Sequence, residues 1–164
     1  LHCIEPGTAI PFNPRRRGLK ADVLLGVRQR QFCPERNWLH WQSLADAITA
    51  AGYSFAVIGN PDTATSLDGQ VCRSGDYDTD TAIELLRGCK LYIGQDSGNS
   101  HLAATAGAPM LLFREEACMS RDLTGRMERV NPGRVEVMRG VWNDPPAIIA
   151  RAIERIKNES FNGQ

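Results

Sequence analysis

Tyr92-Ile93-Gly94-Gln95-Asp96-Ser97-Gly98-Asn99-Ser100-His101-Leu102-Ala103 is the stretch whose reading decides the fold. An apolar run, Cys89 to Gly94, ends in a glycine. A four-residue turn of small and polar residues follows. A short helix, Asn99 to Ala106, then runs until Gly107 and Pro109 stop it. Strand, glycine-bearing turn and helix in this order make half of a βαβ unit. The first turn of a helix carries backbone N–H groups without intrahelical partners and the positive end of the helix dipole. Small residues there let an anion approach the backbone closely. Ser97 and Ser100 can add hydroxyl donors, and His101, four residues after Ser97, faces the same side of the first turn. The same residues also suit a plain capped helix, with Asp96 or Ser97 as N-cap and His101 a polar neighbour. Physics alone leaves both accounts open.

Working outward, strand and helix patterns keep alternating. Asp22 to Arg28 is an apolar run consistent with a buried strand, followed by a polar loop to Arg36. Asn37 is placed to cap a helix in which Trp38, Trp41, Ala45 and Ile48 recur at helical spacing, with Gly52 closing it. Tyr53 to Gly59 is a second buried strand, and a short strand is expected around Val71-Cys72. Thr81-x-x-Glu84 has the form of a capping box. Pro109 to Phe113 is another strand, Arg134 to Met138 a last one, and Ala147 to Ile156 a final amphipathic helix with Ile148, Ala152 and Ile156 on one face. This alternation predicts an α/β fold: a Rossmann-like three-layer α/β/α domain with a mostly parallel sheet. Residues 1–20 are expected to be an irregular lead-in or linker stub, and residues 21–164 the domain. Ligands of such sheets bind beyond the carboxyl ends of the strands, so the loops after Arg28, Gly59, Gly94 and Phe113 are the ones to search.

Composition narrows the function. The chain has 164 residues and 19 basic against 19 acidic side chains, a net charge of zero. A protein that coats nucleic acid needs a basic surplus, so no nucleic-acid partner is expected. The single basic run, Arg15-Arg16-Arg17, reads as a solvated arm. No window is long and apolar enough to span a membrane, and no signal peptide is evident, so a cytoplasmic location is expected, with room for peripheral attachment to the inner face of a membrane. The first residue is Leu1 rather than Met, which leaves room for an upstream domain. The five cysteines, Cys3, Cys33, Cys72, Cys89 and Cys118, have wide, irregular gaps without a CxxC, and reduced thiols are expected. Gly94-x-x-Ser97-Gly98 lacks the spacing of a hydrolase nucleophile elbow, and neither a GxGxxG fingerprint nor a P-loop follows any strand. Asp76-Tyr77-Asp78 matches a DxD, but an EF-hand fails because Thr81 and Arg87 occupy its sixth and twelfth positions. An acidic loop before a helix N-terminus is the simpler account. No metal is expected.

Gly94-Gln95-Asp96-Ser97-Gly98-x-x-His101-Leu102-Ala103-Ala104, followed by Gly107-Ala108-Pro109, resembles the signature of glycosyltransferase family 9, the ADP-heptose:lipopolysaccharide heptosyltransferase-like enzymes. Arg36-Asn37-Trp38 resembles that family's Lys/Arg-x-Trp, and the resemblance runs from about Val23 to Phe113. It implies the C-terminal half of a GT-B architecture, binding a nucleotide-diphosphate sugar without a cofactor. It implies that Ser97 and Gly98 contact the diphosphate, that His101 lies near it, and that Arg36 is a basic phosphate-binding residue. Asp62 would meet the ribose hydroxyls, and Asp96 would order the turn or meet the sugar. The acceptor, a glycan or lipid-linked glycan, and the catalytic base belong to another half, so the catalytic residues are unknown. The family continues its strand into Phe-Gly-Pro, whereas Phe113 is followed here by Arg114-Glu115-Glu116. A non-catalytic nucleotide-sugar-binding module is the alternative, and an epimerase-like relative a more distant one.

Overall fold

The computed structural model describes residues 18–60, 62, 64–72, 77–114 and 124–161. Five strands form one wholly parallel sheet: β1 (Val23–Gly26), β2 (Phe55–Val57), β3 (Leu91–Gly94), β4 (Met110–Phe113) and β5 (Val135–Met138). Their order across the sheet is β2-β1-β3-β4-β5. The helices are α1 (Trp41–Ala50), α2 (Thr79–Gly88), α3 (Gly98–Ala106), α4 (Thr124–Val130) and α5 (Pro145–Phe161). Every residue of β1, β3 and β4 is buried, as strands covered on both faces must be.

Alternation along the strands sorts the core into two layers. Val23, Leu25, Ile93, Leu111 and Phe113 face α1 and α5. Leu24, Tyr92, Met110 and Leu112 face α2, α3 and Met127 of α4. Ile148, Ala152 and Ile156 of α5 are fully buried, each isoleucine contributing about 1.5–3 kcal/mol by leaving water. The domain is thus a Rossmann-like α/β/α sandwich. Sheet order reverses direction between β1 and β3, one strand leading out toward β2 and the other toward β4 and β5. Such a switch point opens a crevice at the carboxyl edge.

Several local expectations shift. Asn37 does not cap α1, which begins at Trp41 after His40. Its side chain instead clamps the preceding loop, donating to the Arg30 carbonyl at 2.8 Å and accepting from the Arg30 N–H at 3.1 Å. Thr81 does not cap α2. Asp78 does, accepting from the Thr81 N–H at 2.9 Å, because a carboxylate stabilises the positive helix end better than a hydroxyl. Val71 forms no strand and gives β2 one hydrogen bond, its N–H to the Phe55 carbonyl. Residues 124–130, where apolar spacing sets no period, form α4. Trp38 and Trp41 are core residues stacked edge-on, with Trp38 also edge-on to Phe113. No helix among the described residues is long and apolar enough to cross a membrane.

Candidate functional site

The corner between β3 and α3 is held by a chain of hydroxyls. Tyr92 points from β3 under α3, and its hydroxyl lies 3.0 Å from Ser100 Oγ. Ser100 Oγ in turn donates to the Gln95 carbonyl. The phenol runs directly beneath two strand-end glycines. A Cβ on Gly26 would sit 2.1 Å from the Tyr92 hydroxyl, and one on Gly94 2.5 Å. Glycine is therefore a packing requirement at the paired position Gly26↔Gly94.

The helix this corner presents is uncapped. Ser97 occupies the N-cap with extended backbone, yet its hydroxyl accepts no first-turn N–H. That hydroxyl is buried, within interaction range of the Tyr92 phenol beneath the corner. No acidic residue occupies the first turn. Gly98 is exposed, and a side chain there would meet nothing within 4 Å. Open space thus lies over Gly98 at the positive end of a helix whose first turn has no side-chain cap, the arrangement that receives an anion. Asn99 ties the same turn to β2, donating to the Ile58 carbonyl at 3.1 Å. Gly59, at φ 151°, leaves only 2.9 Å between a would-be Cβ and the Asn99 amide nitrogen. His101 is exposed one turn along α3.

Positive charge gathers at the same edge. Arg28 follows β1 and is only 9% exposed, with its Nε buried and unpartnered. Burial first, then repulsion from Arg36 and Arg30, draws its pKa below the usual arginine value, while Asp96 opposes that shift. Three guanidinium groups therefore share a neighbourhood with one carboxylate, and arginine stays charged in such surroundings. The register Gly26↔Gly94↔Leu112 places Arg28 and Asp96 two residues past their strand ends and the buried Arg114 one past its own, side by side along the carboxyl edge. Gln95 beside them is 4% exposed, and both polar atoms of its side chain lack partners.

Three clefts open here. One of ≈ 420 Å³ is lined by Gly59, Asn60, Tyr77, Asp78, Thr79 and Asn99, among others. Another of ≈ 310 Å³ is lined by Gln29, Arg30, Gln31, Asn37, Asp62 and Ala64. The third, of ≈ 400 Å³, lies between the loop after β1 and residues 65–67, and Arg28 and Trp41 line it. Asp62 is exposed and faces the loop after β1 across the second cleft; its N–H donates to Asn60 Oδ1 at 2.9 Å.

Of the residues singled out in the sequence, Ser97, Gly98 and His101 share the first turn of α3, and Arg36 and Asp96 share the charged neighbourhood of Arg28. Arg28, Gln95 and Asn99 were not singled out. Arg28 had one legible signal, a charged residue closing an apolar run at the carboxyl end of a strand. Asp78 of the DxD caps α2, while Asp76 lies outside the described residues. Among the described residues no group of His, Cys, Asp and Glu side chains is arranged to hold a metal ion. Among the described residues Cys33, Cys72 and Cys89 form no disulfide.

No curated protein matches the chain significantly. Solved structures do. The chain superposes on ADP-heptose lps heptosyltransferase II of E. coli with a TM-score of 0.62 at 20% identity, covering 87% of this chain and 47% of that one. A glycosyl transferase family 9 protein from Veillonella parvula gives 0.57 at 16% identity, with 84% and 46% covered. The dodecameric iron-containing heptosyltransferase TibC, solved in complex with ADP-D-beta-D-heptose, gives 0.53 at 15% identity, with 88% and 47% covered. These likenesses share the fold, and the chain spans just under half the length of each. The family model of glycosyltransferase family 9 (heptosyltransferase) matches residues 20–116, more than half of the sequence. By that match and the DSGxxHLA corner, the chain belongs to glycosyltransferase family 9.

Proposed function

We propose that this chain is the donor-binding, C-terminal half of a GT-B glycosyltransferase, and that it holds a nucleotide-diphosphate sugar at the β1/β3 switch point. The observation that carries the reading is the α3 N-terminus without a side-chain cap, where Gly98 opens onto space that nothing fills. The diphosphate lies across the amides of the first turn, with Arg36 and His101 meeting its charge. The nucleoside occupies the cleft of Gly59, Tyr77 and Asn99, with Asp62 of the neighbouring cleft near the ribose. As the anomeric bond breaks, charge builds on the departing diphosphate. Preorganised donors at that position lower the barrier more than they strengthen ground-state binding. The TibC complex with ADP-D-beta-D-heptose supports a nucleotide-sugar ligand for this fold. Residues 21–164 form the donor unit, and a second half supplies the acceptor site and the base.

Calorimetric titration of the chain with ADP, UDP and GDP tests this. One of them is expected to bind in the micromolar to submillimolar range. Arg36→Ala and His101→Ala should each weaken binding about tenfold, the loss of one charge-assisted contact worth roughly 1.4 kcal/mol. Absence of binding for all three at millimolar concentration overturns the proposal.

A further inference from the structure

Asn99 belongs to the first turn of α3, yet its side chain serves the loop after β2. Its amide group donates to the Ile58 carbonyl at 3.1 Å. Ile58 is itself tied to the sheet, its N–H donating to the Leu25 carbonyl at 2.9 Å. Gly59 follows at φ 151°, a backbone conformation that side chains strain. It passes so near that a Cβ there would lie 2.9 Å from the Asn99 amide nitrogen and 3.3 Å from Ala64 Cβ. Asn60 comes next, and its side-chain oxygen accepts the Asp62 N–H at 2.9 Å. A continuous line of contacts therefore runs from the α3 turn through Ile58, Gly59 and Asn60 to Asp62. Asn99, Gly59 and Asn60 line the ≈ 420 Å³ cleft, while Asp62 and Ala64 line the ≈ 310 Å³ one. The loop that Asn99 holds thus contributes to both clefts.

An exposed loop left to itself samples many conformations, and a ligand that needs one of them loses affinity in ordering it. Resting on the donor-binding reading, we propose that Asn99 is a positioning residue. By holding Ile58 and Gly59 it sets the loop of Asn60 and Asp62 at a fixed spacing from the α3 turn, so that the nucleoside and the diphosphate of one donor are received as a unit. Its side chain is engaged with the Ile58 carbonyl, whereas the amides of the turn are backbone. Losing the side chain therefore leaves the phosphate site standing and disorders the nucleoside site. The hydrogen bond carries this effect, and Gly59 is the residue that lets the two backbones come close enough to make it.

The test sets ADP, UDP and GDP against inorganic pyrophosphate on the parent chain and its variants, by calorimetry. Pyrophosphate is read by competition with the nucleoside diphosphate wherever its own heat is small. Asn99→Ala should weaken the nucleoside diphosphate about tenfold and leave pyrophosphate within twofold. Asn99→Leu keeps the shape of the side chain without the donor and should behave as Asn99→Ala does. In both variants, without ligand, hydrogen exchange at the Gly59, Asn60 and Asp62 amides should quicken several-fold. Gly59→Ala should give the same selective loss, and combining it with Asn99→Ala should add no more than about twofold, since both break one connection. Circular dichroism and melting temperature of each variant separate a displaced loop from a lost fold. Equal weakening of nucleoside diphosphate and pyrophosphate places Asn99 in the phosphate site and overturns the inference. Weakened nucleoside binding with unchanged exchange makes Asn99 a direct ligand contact and also overturns it, as do parent-like binding by either Asn99 variant and a fully additive double variant. In each of those cases the donor reading stands. If no nucleoside diphosphate binds the parent chain, the donor reading itself has failed, and this inference falls with it.

Discussion

The Tyr92 hydroxyl stands 3.0 Å from Ser100 Oγ, fully buried, and this contact joins the last buried turn of the sheet to the first turn of α3. Ser100 passes the connection on to the Gln95 carbonyl. The helix end that faces the cleft is therefore positioned from below, by groups a ligand never touches. Tyr92→Phe removes the hydroxyl and leaves Ser100 with one partner fewer. It should cost about 1–2 kcal/mol, read as a lower urea midpoint with an unchanged slope. Equal stability of the variant and the parent would mean the network is not under tension from either side.

Gly26→Ala and Gly94→Ala should each be more damaging. Their new methyl groups would lie 2.1 Å and 2.5 Å from the Tyr92 oxygen, inside any permitted contact. The phenol is boxed in on every side, so it cannot yield cheaply. A loss of roughly 1–3 kcal/mol or more is expected by thermal denaturation. Pairing either change with Tyr92→Ala should recover part of it.

Gly98→Ala separates fold from function. Nothing lies within 4 Å of a Cβ there, and φ is ordinary. Alanine favours helix over glycine by about 1 kcal/mol in a helix interior, less at an end. The melting temperature should stay level or rise slightly. Nucleoside diphosphate binding should fall at least tenfold, because a methyl group now occupies the approach to the amides. Tight binding by this variant would place the phosphates elsewhere.

Burial pushes the Tyr92 phenol and the Cys89 thiol up to about 12 each. Both are acids whose neutral form the fold prefers. Their unfolded values lie near 10 and 9, so stability is intact below about pH 9 and is lost as pH climbs from there toward 12. For Tyr92 the loss is on the order of 2–3 kcal/mol by the high end. Denaturation midpoints at pH 8, 10 and 11 should show the decline, and Tyr92→Phe should make it shallower. Cys89 should resist thiol reagents at pH 8 in the native state, unlike the half-buried Cys33.

Glu136 on β5 receives two hydrogen bonds from Arg151, at 2.7 and 3.0 Å, and one from Arg155 at 2.6 Å. The bond from Arg151 is the main reason its pKa falls below the usual carboxylate value. A depressed carboxylate stabilises the fold above its unfolded pKa, near 4.5, and stops doing so as pH drops through the native value. Glu136→Gln should lower stability at pH 7 by up to about 1 kcal/mol, since the cluster is partly solvated. The difference from the parent should vanish in acid.

The class of fold was legible because βα alternation leaves a pattern in apolar spacing. Ile148, Ala152 and Ile156 lie on one helix face in the sequence and are all fully buried in the structure. The α3 corner was legible for the same reason: its chemistry is local, built from consecutive residues of one turn. Asn37 misled, since a residue suited to cap a helix is equally suited to clamp a loop, and only the position of Arg30 chooses between them. The α4 helix was missed because Met127 is its one buried apolar residue, too little to set a period.

The chain alone determined the layers, the strands and the turn with exposed amides, because each depends on neighbours within a few residues. Sheet order, and with it the meeting of Arg28, Arg36 and Asp96, was decided only on folding. Residues 26, 94 and 112 become adjacent through ladder hydrogen bonds between distant strands. No spacing along a sequence encodes which strand lies beside which, and the burial of Arg28 beside Asp96 arises only once the loops after those strands have come together.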